Sequence, residues 1–464
     1  MSPRKSLREL LELNPDLNIA HEDYNINVTA NYGDQKKASD ALPVLKAFDG
    51  TDLPAHLYFH VPLCNYICHF CNYVKKLLPR NKDQGAILDE WADLLIEESR
   101  RHLLQFPWTR RARIESLYLG GGTAALFKQR QLEKIIRHIR ASYSLTSECE
   151  ISLEGNPDNF TESSLSEALA LGFNRFSLGV QSLQDRVNQF VGRGHDSQMS
   201  LHAIENLFQT RKPFNVDMMF GLPHQTIETV RRDFEILTRM KVPTITIYRL
   251  RNADREQMGI GNKSAWNNTS LRSKMQGEGL FPSLEQTYEM REAIVNILSS
   301  AGYSPSPCGW WSLPQTYGEG NIPHVSKNKW EKQDTMIAFG PGAYGWLTGD
   351  ASNTIQTHNI SDIRSYADAL KSTSDLPLAS IRHLDKEQSV AMRLGFGFKA
   401  NQPIRLADFK KRFDVNLLDD EPYKTALTHL IERGFLTLNS KSQVLQPTQD
   451  GESLHEEIIS KLIH

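Results

Sequence analysis

The stretch Tyr58-Phe-His-Val-Pro-Leu-Cys64-Asn-Tyr-Ile-Cys68-His-Phe-Cys71-Asn-Tyr73 decides how the whole chain is interpreted. It begins as an apolar, strand-like run and continues into a loop with the spacing Cys-x3-Cys-x2-Cys. Thiolates are the usual ligands of iron–sulfur clusters, and three of them leave one iron of a four-iron cluster open to a small molecule. Because the loop directly follows a predicted strand, the sequence predicts a [4Fe–4S] site on Cys64, Cys68 and Cys71 where barrel active sites form.

Zinc is the competing interpretation of this loop. A structural zinc site uses four ligands, typically in two separated pairs, and His60 or His69 could supply the fourth here. The remaining cysteines, Cys149 and Cys308, are isolated, and we interpret them as structural or incidental thiols. Five cysteines in this uneven distribution do not resemble a disulfide framework, which favours a reducing, cytoplasmic compartment.

Short apolar runs alternate with amphipathic segments downstream of residue 55. The runs are Leu57–Val61, Ile114–Leu119, Glu150–Leu153, Arg175–Val180, Phe214–Phe220 and Thr244–Tyr248, with a further one at Met336–Phe339. Near-continuous apolar strands separated by helices predict a parallel sheet that is buried on both faces. Six such units predict an α/β fold with a partial or full (β/α) barrel, and a doubly wound open sheet is the alternative.

The same patterns divide the chain into four parts. Residues 1–54 are a polar N-terminal arm with a short amphipathic helix at Leu7–Leu13, residues 55–350 are the barrel, and residues 351–384 are a linker with a helix. Residues 385–464 contain helix, helix and hairpin patterns that predict a winged-helix-like C-terminal module. This module shows no clustered basic face, so we expect it to support the fold and not to bind DNA.

Composition excludes several classes of function. The 464 residues are 39% hydrophobic and 23% charged, and the net charge of −2 comes from interspersed signs, which is not the pattern of a nucleic-acid or membrane-surface binder. No apolar run reaches transmembrane length, and the N-terminus lacks the apolar core of a secretory signal. We therefore expect neither a nucleic-acid nor a membrane partner.

Further motifs run through most of the chain after the cysteine loop. They are YLGGGT (118–123), LEGNP (153–157), RFSLGVQS (175–182), VGR ending at Arg193, NVDMMFGLPHQT (215–226) and FGPGAYG (339–345). Together they resemble the radical S-adenosylmethionine (SAM) proteins of the HemN-like family, which is related to oxygen-independent coproporphyrinogen III oxidase. The resemblance covers roughly residues 55–460 and implies a [4Fe–4S] cluster, SAM, and a reductant such as flavodoxin or ferredoxin.

The resemblance also implies two bound SAM molecules. The first, at the cluster, would be held by Tyr58, Gly121, Glu154 and Tyr344. The second would be held by Phe70, Gly122, Thr123, Gln181, Arg193 and Asp217. The residue types fit, because amide, guanidinium and carboxylate groups suit a ribose and a carboxylate.

Two departures from the family pattern bear on the reaction. Tyr73 stands where the oxidases carry a further cysteine, which disfavours porphyrin decarboxylation. The segment His324-Val-Ser-Lys-Asn-Lys-Trp330 differs in spacing from the His-Asn-x-x-Tyr-Trp motif of the haem-chaperone branch. By contrast, CHFCNYVKK (68–76) resembles the class C methyltransferase and cyclopropanase branch.

That branch implies transfer of a SAM-derived methylene to an sp2 carbon of a small-molecule or natural-product substrate. Tyr73, His69 and Tyr248 are then candidates for proton handling. One alternative is oxidase-like or haem-related radical chemistry, in which Arg249 and Arg251 pair with substrate carboxylates. A second alternative is a haem-trafficking protein that keeps the same fold.

Overall fold

A computed structural model describes residues 5–17, 35–250, 277–305, 307, 309–348, 354–372, 374–455 and 458. Arg251 and Cys308 lie outside the described residues, and so do parts of the expected N-terminal arm and linker. Within these ranges, no helix combines the length and the apolar character needed to cross a membrane.

The strands of the described residues form one large sheet and two small ones. In chain order they are β1 (Gln35–Lys37), β2 (Pro54–Val61), β3 (Leu63–Cys64), β4 (Lys76–Leu77), β5 (Arg113–Gly121), β6 (Ser144–Gly155), β7 (Arg175–Gln181), β8 (Phe214–Phe220), β9 (Thr244–Arg249), β10 (Ser304–Pro305), β11 (Trp310–Ser312), β12 (Thr335–Phe339), β13 (Tyr344–Thr348), β14 (Thr354–Asn359), β15 (Leu378–Leu384), β16 (Ile404–Arg405), β17 (Leu436–Asn439) and β18 (Val444–Pro447).

The helices cover the faces of the large sheet and build the C-terminal module. In chain order they are α1 (Leu7–Leu13), α2 (Ala38–Ala47), α3 (Gln84–Gln105), α4 (Gln129–Ser142), α5 (Glu162–Leu171), α6 (Asp185–Phe190), α7 (Ser197–Gln209), α8 (Ile227–Arg239), α9 (Leu284–Ser300), α10 (His324–Lys327), α11 (Ile363–Ser372), α12 (Lys386–Ala400), α13 (Leu406–Phe413), α14 (Tyr423–Glu432) and α15 (Gln449–Ser453).

Local sequence explains why the strands and helices alternate. Strand β8 is buried along almost all of its length, as expected for a strand between two layers, and its two polar residues, Asn215 and Asp217, lie on one face. Helix α4 buries Leu132, Ile135, Ile136 and Ile139, a stripe with helical spacing that faces the sheet. Each predicted apolar run falls inside one of the observed strands β2, β5, β6, β7, β8, β9 and β12, which confirms the predicted parallel sheet.

Strand order identifies the barrel type. The parallel strands follow the order β12-β2-β5-β6-β7-β8-β9, so from β2 onward neighbours in space are also neighbours in the chain. A doubly wound sheet would reverse direction at an internal strand. Among the described residues the sheet stays open, because antiparallel strands β13 and β11 flank its two ends. The fold is therefore a partial barrel, and all its parallel strands end at the same edge.

The segment expected to be a linker with a helix is part of the large sheet. Strands β14 and β15, with α11 between them, extend the sheet beyond β13, and β1 pairs with β15 at its edge. The linker prediction was wrong because β14 consists mostly of polar residues, of which Thr354, Gln356 and Asn359 are nevertheless buried in the sheet. The segment Thr354-Ile-Gln-Thr-His-Asn359 contains one apolar residue, so its composition alone resembles that of a polar linker.

Buried Glu98 on α3 joins this extension to the barrel. Its carboxylate accepts hydrogen bonds from the backbone amide of Gly340 at 2.7 Å and from Asn359 Nδ2 at 2.6 Å. The hydroxyl of Tyr366 on α11 donates to the same carboxylate. Burial raises the pKa of Glu98 to about 7. One carboxyl group therefore holds three elements that follow residue 339 against helix α3.

Residues 5–17 of the expected N-terminal arm pack on the C-terminal module, whereas β1 and α2 of the same arm lie against β15. Helix α1 forms where it was predicted, capped by Ser6, and Leu10 joins the hydrophobic cluster of helices α12 and α14. The guanidinium of Arg433 donates to Asn14 Oδ1 at 2.6 Å and to Asp16 Oδ2 at 2.7 Å. The two ends of the chain therefore meet in one small hydrophobic core.

Candidate active site

The cysteine loop lies at the carboxyl ends of the parallel strands. Cys64 ends the short strand β3, directly after β2, and its side chain is buried. The loop is fixed by backbone hydrogen bonds from Cys71 to Cys68, at 3.2 Å, and from His69 to Val191, at 2.9 Å. Lys75 Nζ donates to the carbonyl of Cys71 at 2.5 Å. All three thiols are therefore presented at the edge where barrel active sites lie.

The three thiols act on one another electrostatically, as close neighbours do. Burial, together with the negative charges of the Cys71 and Cys68 thiolates, raises the pKa of Cys64 to about 12. The hydroxyl of Thr123 donates to Cys64 Sγ at 3.7 Å, which favours the thiolate. Burial also raises the pKa of Cys71. Such thiols give up their protons when iron binds, so the donor set fits a cluster with three protein ligands.

The glycine loop at the end of β5 makes room for this site. A Cβ atom on Gly122 would lie 2.7 Å from the carbonyl oxygen of Leu63 and 3.0 Å from Cys64 Sγ. Gly121 has φ = 109°, a conformation that side chains disfavour. The glycines of this motif, which were predicted to contact SAM, therefore also have a structural reason. They allow the end of β5 to approach the cysteine loop closely.

Arg193 is oriented towards the cysteine loop. Its Nη1 lies 3.5 Å from Cys68 Sγ, and its Nη2 donates to Asn156 Oδ1 at 3.1 Å and to the carbonyl of Gly179. Its buried Nε atom has no hydrogen-bond partner among the described residues. A cation beside a cluster ligand with one unused donor fits an anionic ligand group at this position.

Two acids face the space between the strand ends. Glu154 Oε2 accepts hydrogen bonds from the amide of Gly121 at 3.4 Å and from the hydroxyl of Tyr118 at 3.3 Å. Desolvation and, after it, the negative charge of Asp217 together raise the pKa of Glu154 to about 7. Burial likewise raises the pKa of Asp217 to about 6. Two half-buried carboxyl groups, one of which raises the pKa of the other, suit a ligand with amine, hydroxyl or cationic groups.

Two tyrosines predicted for proton handling line the same space. The side chains of Tyr73 and Tyr248 are 62% and 43% exposed. Although these side chains are partly open to solvent, desolvation of the hydroxyl groups by the surrounding protein raises the pKa of both, and the next cause is the negative charge of Glu154 for Tyr73 and of Asp217 for Tyr248. The structure therefore brings these two tyrosines together with the two acids. His69, by contrast, has its Nδ1 atom 3.1 Å from the carbonyl of Phe190.

The remaining predicted ligand residues have the following surroundings. Phe70 packs on an apolar cluster with Val191, Met219 and Leu222. Gln181 is the last residue of β7 and has φ = 72°, a strained backbone of the kind found at functional sites. The ring of Tyr344 stacks on His358 with centroids 4.0 Å apart.

His60 is not available as a fourth zinc ligand. Its Nε2 lies 2.7 Å from the carbonyl of Val74, and its Nδ1 lies 3.2 Å from the hydroxyl of Tyr58. Both ring nitrogens are therefore engaged. Tyr58 is thereby held beside the cysteine loop, with its ring 6.1 Å from that of Tyr118.

Sequence reasoning did not single out Asn156 or Tyr66 as site residues. Asn156 binds both Thr123 and Arg193, and Tyr66 places its ring 5.5 Å from the Arg193 guanidinium. Asn156 could have been identified from the sequence, because it lies in the quoted LEGNP motif. Tyr66 carried no signal, since one aromatic residue among polar neighbours is ordinary loop sequence.

Comparison with known proteins agrees with this geometry. A model of the radical SAM superfamily matches residues 58–237. The heme chaperone HemW of Lactococcus lactis is 24% identical over 411 residues, which cover 88% of this chain and 97% of that protein. A mouse protein, radical S-adenosyl methionine domain-containing protein 1, mitochondrial, is 31% identical over 296 residues, covering 63% of this chain and 60% of its own.

A solved structure extends the likeness to the whole fold. The coproporphyrinogen III oxidase HemN of Escherichia coli superposes with a TM-score of 0.79, covering 99% of both chains at 18% identity. The superfamily match implies a [4Fe–4S] cluster and SAM as cofactors. Residues 58–237 are therefore similar to the radical SAM superfamily, the chain as a whole is similar to HemW, and its mostly parallel α/β fold is that of HemN.

Proposed function

We propose that this protein cleaves SAM reductively at a cluster held by Cys64, Cys68 and Cys71, and that it handles a haem-type tetrapyrrole. The observation that most directly supports this proposal is the set of three thiols at the strand ends. Arg193 lies against Cys68, and Gly122 lies against Cys64. When bound, the cluster supplies one electron to SAM, which yields methionine and a 5′-deoxyadenosyl radical. A flavodoxin- or ferredoxin-type reductant would provide that electron.

The residues of the chain would position SAM. Glu154 would accept a hydrogen bond from its amine, and Gly121, having no side chain, would let the methionine backbone approach β5. Tyr58, whose hydroxyl group contacts His60, would line the same side of the SAM site. These groups are half-buried, and the bound SAM would shield them further from water, which would strengthen each polar contact.

The tetrapyrrole part of the proposal is supported by two comparisons. The relative that matches 88% of this chain is named a heme chaperone. The solved structure that shares the fold belongs to a coproporphyrinogen oxidase. A haem-related ligand therefore has more support than the natural-product substrate suggested by the loop sequence alone.

A second SAM site is part of the proposal. The side chains of Gln181 and Arg193 converge on Gly179, where a Cβ atom would lie 3.0 Å from Gln181 Nε2 and 3.6 Å from Arg193 Nη2. Asp217 lies on the next strand, in register with Gly179. An amide, a guanidinium and a carboxylate in one place suit the ribose and carboxylate of SAM.

Methylene transfer is the second candidate. It is favoured by Tyr73, which lines the open space near Glu154 where an oxidase would carry a cysteine. In that reaction Tyr73 and Tyr248 would handle the proton, and the substrate would be a small molecule with an sp2 carbon.

Anaerobic product analysis tests these proposals. Reconstituted protein is incubated with SAM, dithionite and haemin, and 5′-deoxyadenosine, S-adenosylhomocysteine and the haem absorption spectrum are measured. We expect 5′-deoxyadenosine from the wild type but not from Cys68→Ala, and a shifted Soret band with haemin. S-adenosylhomocysteine formed with an sp2-carbon substrate would favour methylene transfer instead. Retention of iron, sulfide and SAM cleavage by Cys68→Ala would refute the cluster assignment.

A further inference from the structure

Three potential metal ligands meet at the opposite end of the barrel from the cysteine loop. His56 lies near the start of β2, Glu115 near the start of β5, and Asp334 immediately before β12. One ring nitrogen and one oxygen from each carboxylate lie within 4.8 Å of one another. Since β12, β2 and β5 are adjacent parallel strands, the three side chains come from neighbouring amino ends.

His56 has one nitrogen engaged and one free. Its side chain is 1% exposed, and its Nδ1 lies 2.7 Å from the hydroxyl oxygen of Ser116. Its Nε2 is buried and has no hydrogen-bond partner among the described residues. Leaving such an atom unpaired costs free energy, so a buried free nitrogen beside two carboxylates calls for a partner. A second nitrogen held by a hydroxyl group is also the arrangement that orients metal-binding histidines.

A β-bulge directs Glu115 towards His56. Across β2, Ala55 pairs with Ile114 and His56 pairs with Ser116, so Glu115 is skipped. The pairing with β6 skips it as well. In a regular strand, consecutive side chains point to opposite faces, and Glu115 and Ser116 would not both reach one imidazole. The bulge removes that restriction, as bulges at functional sites do.

We propose that His56 Nε2, Glu115 and Asp334 bind one divalent metal ion of the Zn²⁺ class. One imidazole and two carboxylates match the nitrogen and oxygen ligands of Zn²⁺, and water would fill a fourth position. Purely oxygen-binding ions such as Mg²⁺ would leave His56 Nε2 unused. The ion would tie three strands together at the end of the barrel that carries no SAM chemistry, so this site is independent of the proposed function.

Two cations adjoin Glu115. Lys332 Nζ lies 3.1 Å from Glu115 Oε2, and Arg113 Nη2 lies 3.8 Å from Oε1. The side chain of Lys332 is 51% exposed, so it can move into solvent when a metal ion binds. Lys332 and the metal ion therefore compete for Glu115, and removal of Lys332 tightens metal binding.

The test is a calorimetric titration of the full-length, cluster-reconstituted protein with Zn²⁺ under anaerobic conditions. Iron and sulfide are measured afterwards to show that the cluster is intact. We expect one Zn²⁺ per chain in addition to the cluster. Asp334→Asn and Glu115→Gln should weaken its binding by about tenfold or more, since each removes a direct ligand. Lys332→Ala should bind more tightly than the wild type.

Two variants serve as controls. His324→Gln removes an imidazole at the same end of the barrel, whose Nε2 lies 3.9 Å from Glu150, and Zn²⁺ binding should be unchanged. Asp334→Asn keeps the size of a half-buried side chain, so it remains informative where His56→Gln does not fold. Equal Zn²⁺ affinity in the wild type and in folded Asp334→Asn would overturn the proposal, as would the absence of Zn²⁺ binding in the wild type.

Discussion

The guanidinium Nη1 of Arg193 lies 3.5 Å from the sulfur of Cys68, across 125 residues of chain. This contact joins the loop after β2 to the segment after α6, and it puts a positive charge next to a thiol that the other two cysteines also approach. Arg193 reaches Asn156 and Gly179 with its second terminal nitrogen. One side chain therefore connects the cysteine loop with the ends of β6 and β7.

Replacement of Arg193 by Met should impair SAM cleavage more than cluster assembly. The three cysteines remain, so iron and sulfide content should stay near that of the wild type. The rate of 5′-deoxyadenosine formation should fall by about tenfold or more, because the positive charge beside the cluster ligand Cys68 is lost. Arg193→Lys should recover little, since an ammonium cannot reproduce the forked geometry. Wild-type rates in Arg193→Met would contradict the positioning role.

Replacement of Gly122 by Ala should prevent normal cluster incorporation. The added methyl group would meet the carbonyl of Leu63 and the sulfur of Cys64, and neither atom belongs to a flexible chain end. Gly277→Ala is the matched control, because a Cβ atom there has nothing within 4 Å. Iron and sulfide analysis after reconstitution distinguishes the two variants. The prediction fails if they hold the same amount of cluster.

Asp217 should be needed for the second SAM molecule and not for the first. Equilibrium dialysis of the reconstituted protein should give two SAM per chain for the wild type and one for Asp217→Asn. Glu154→Gln is the reciprocal variant and should reduce binding at the cluster. A stoichiometry of one SAM in wild type and Asp217→Asn alike would exclude the second site.

Glu98 should make folding stability depend on pH. Its pKa is about 7 in the folded protein, above the ordinary value of 4.5. The unfolded chain loses the proton first, so this contribution to the free energy of unfolding is complete below about pH 4.5 and is lost as pH rises to about 7. The full loss is on the order of 3 kcal/mol.

Glu98→Gln isolates this effect. It keeps a carbonyl acceptor for Gly340 or Asn359 and removes the titration. Thermal midpoints measured at pH 5 and pH 8 should show the wild type losing stability relative to the variant at the higher pH. If the thermal midpoints of the two proteins differ by the same amount at pH 5 and at pH 8, Glu98 does not titrate in this range.

The central strands could be predicted because burial on both faces imposes an apolar composition. Phe214–Phe220 and Arg175–Val180 carry that signal in a single sequence. The helix at Leu7–Leu13 was equally predictable from the sequence, since its capping box and its apolar spacing are local features.

Strands β14 and β15 were missed because their stability comes from pairing partners, not from local composition. The same reason applies to the site. The contact between Asn156 and Arg193 and that between Glu98 and Asn359 join distant segments, 37 and 261 residues apart. The spacing of the three cysteines was enough to predict them as cluster ligands. Whether His60 was free to bind zinc depended instead on its hydrogen-bond partners Val74 and Tyr58, which the sequence does not show.

The partners of Glu98 also set a lower limit on the length of a fragment that can fold. The superfamily match ends at residue 237, whereas Gly340, Asn359 and Tyr366 all follow it. A protein cut after α8 would keep the three cysteines and the helix that carries Glu98, but that carboxyl group would lose every partner named here. Expression of residues 58–237 alone should therefore yield an insoluble or proteolysed product.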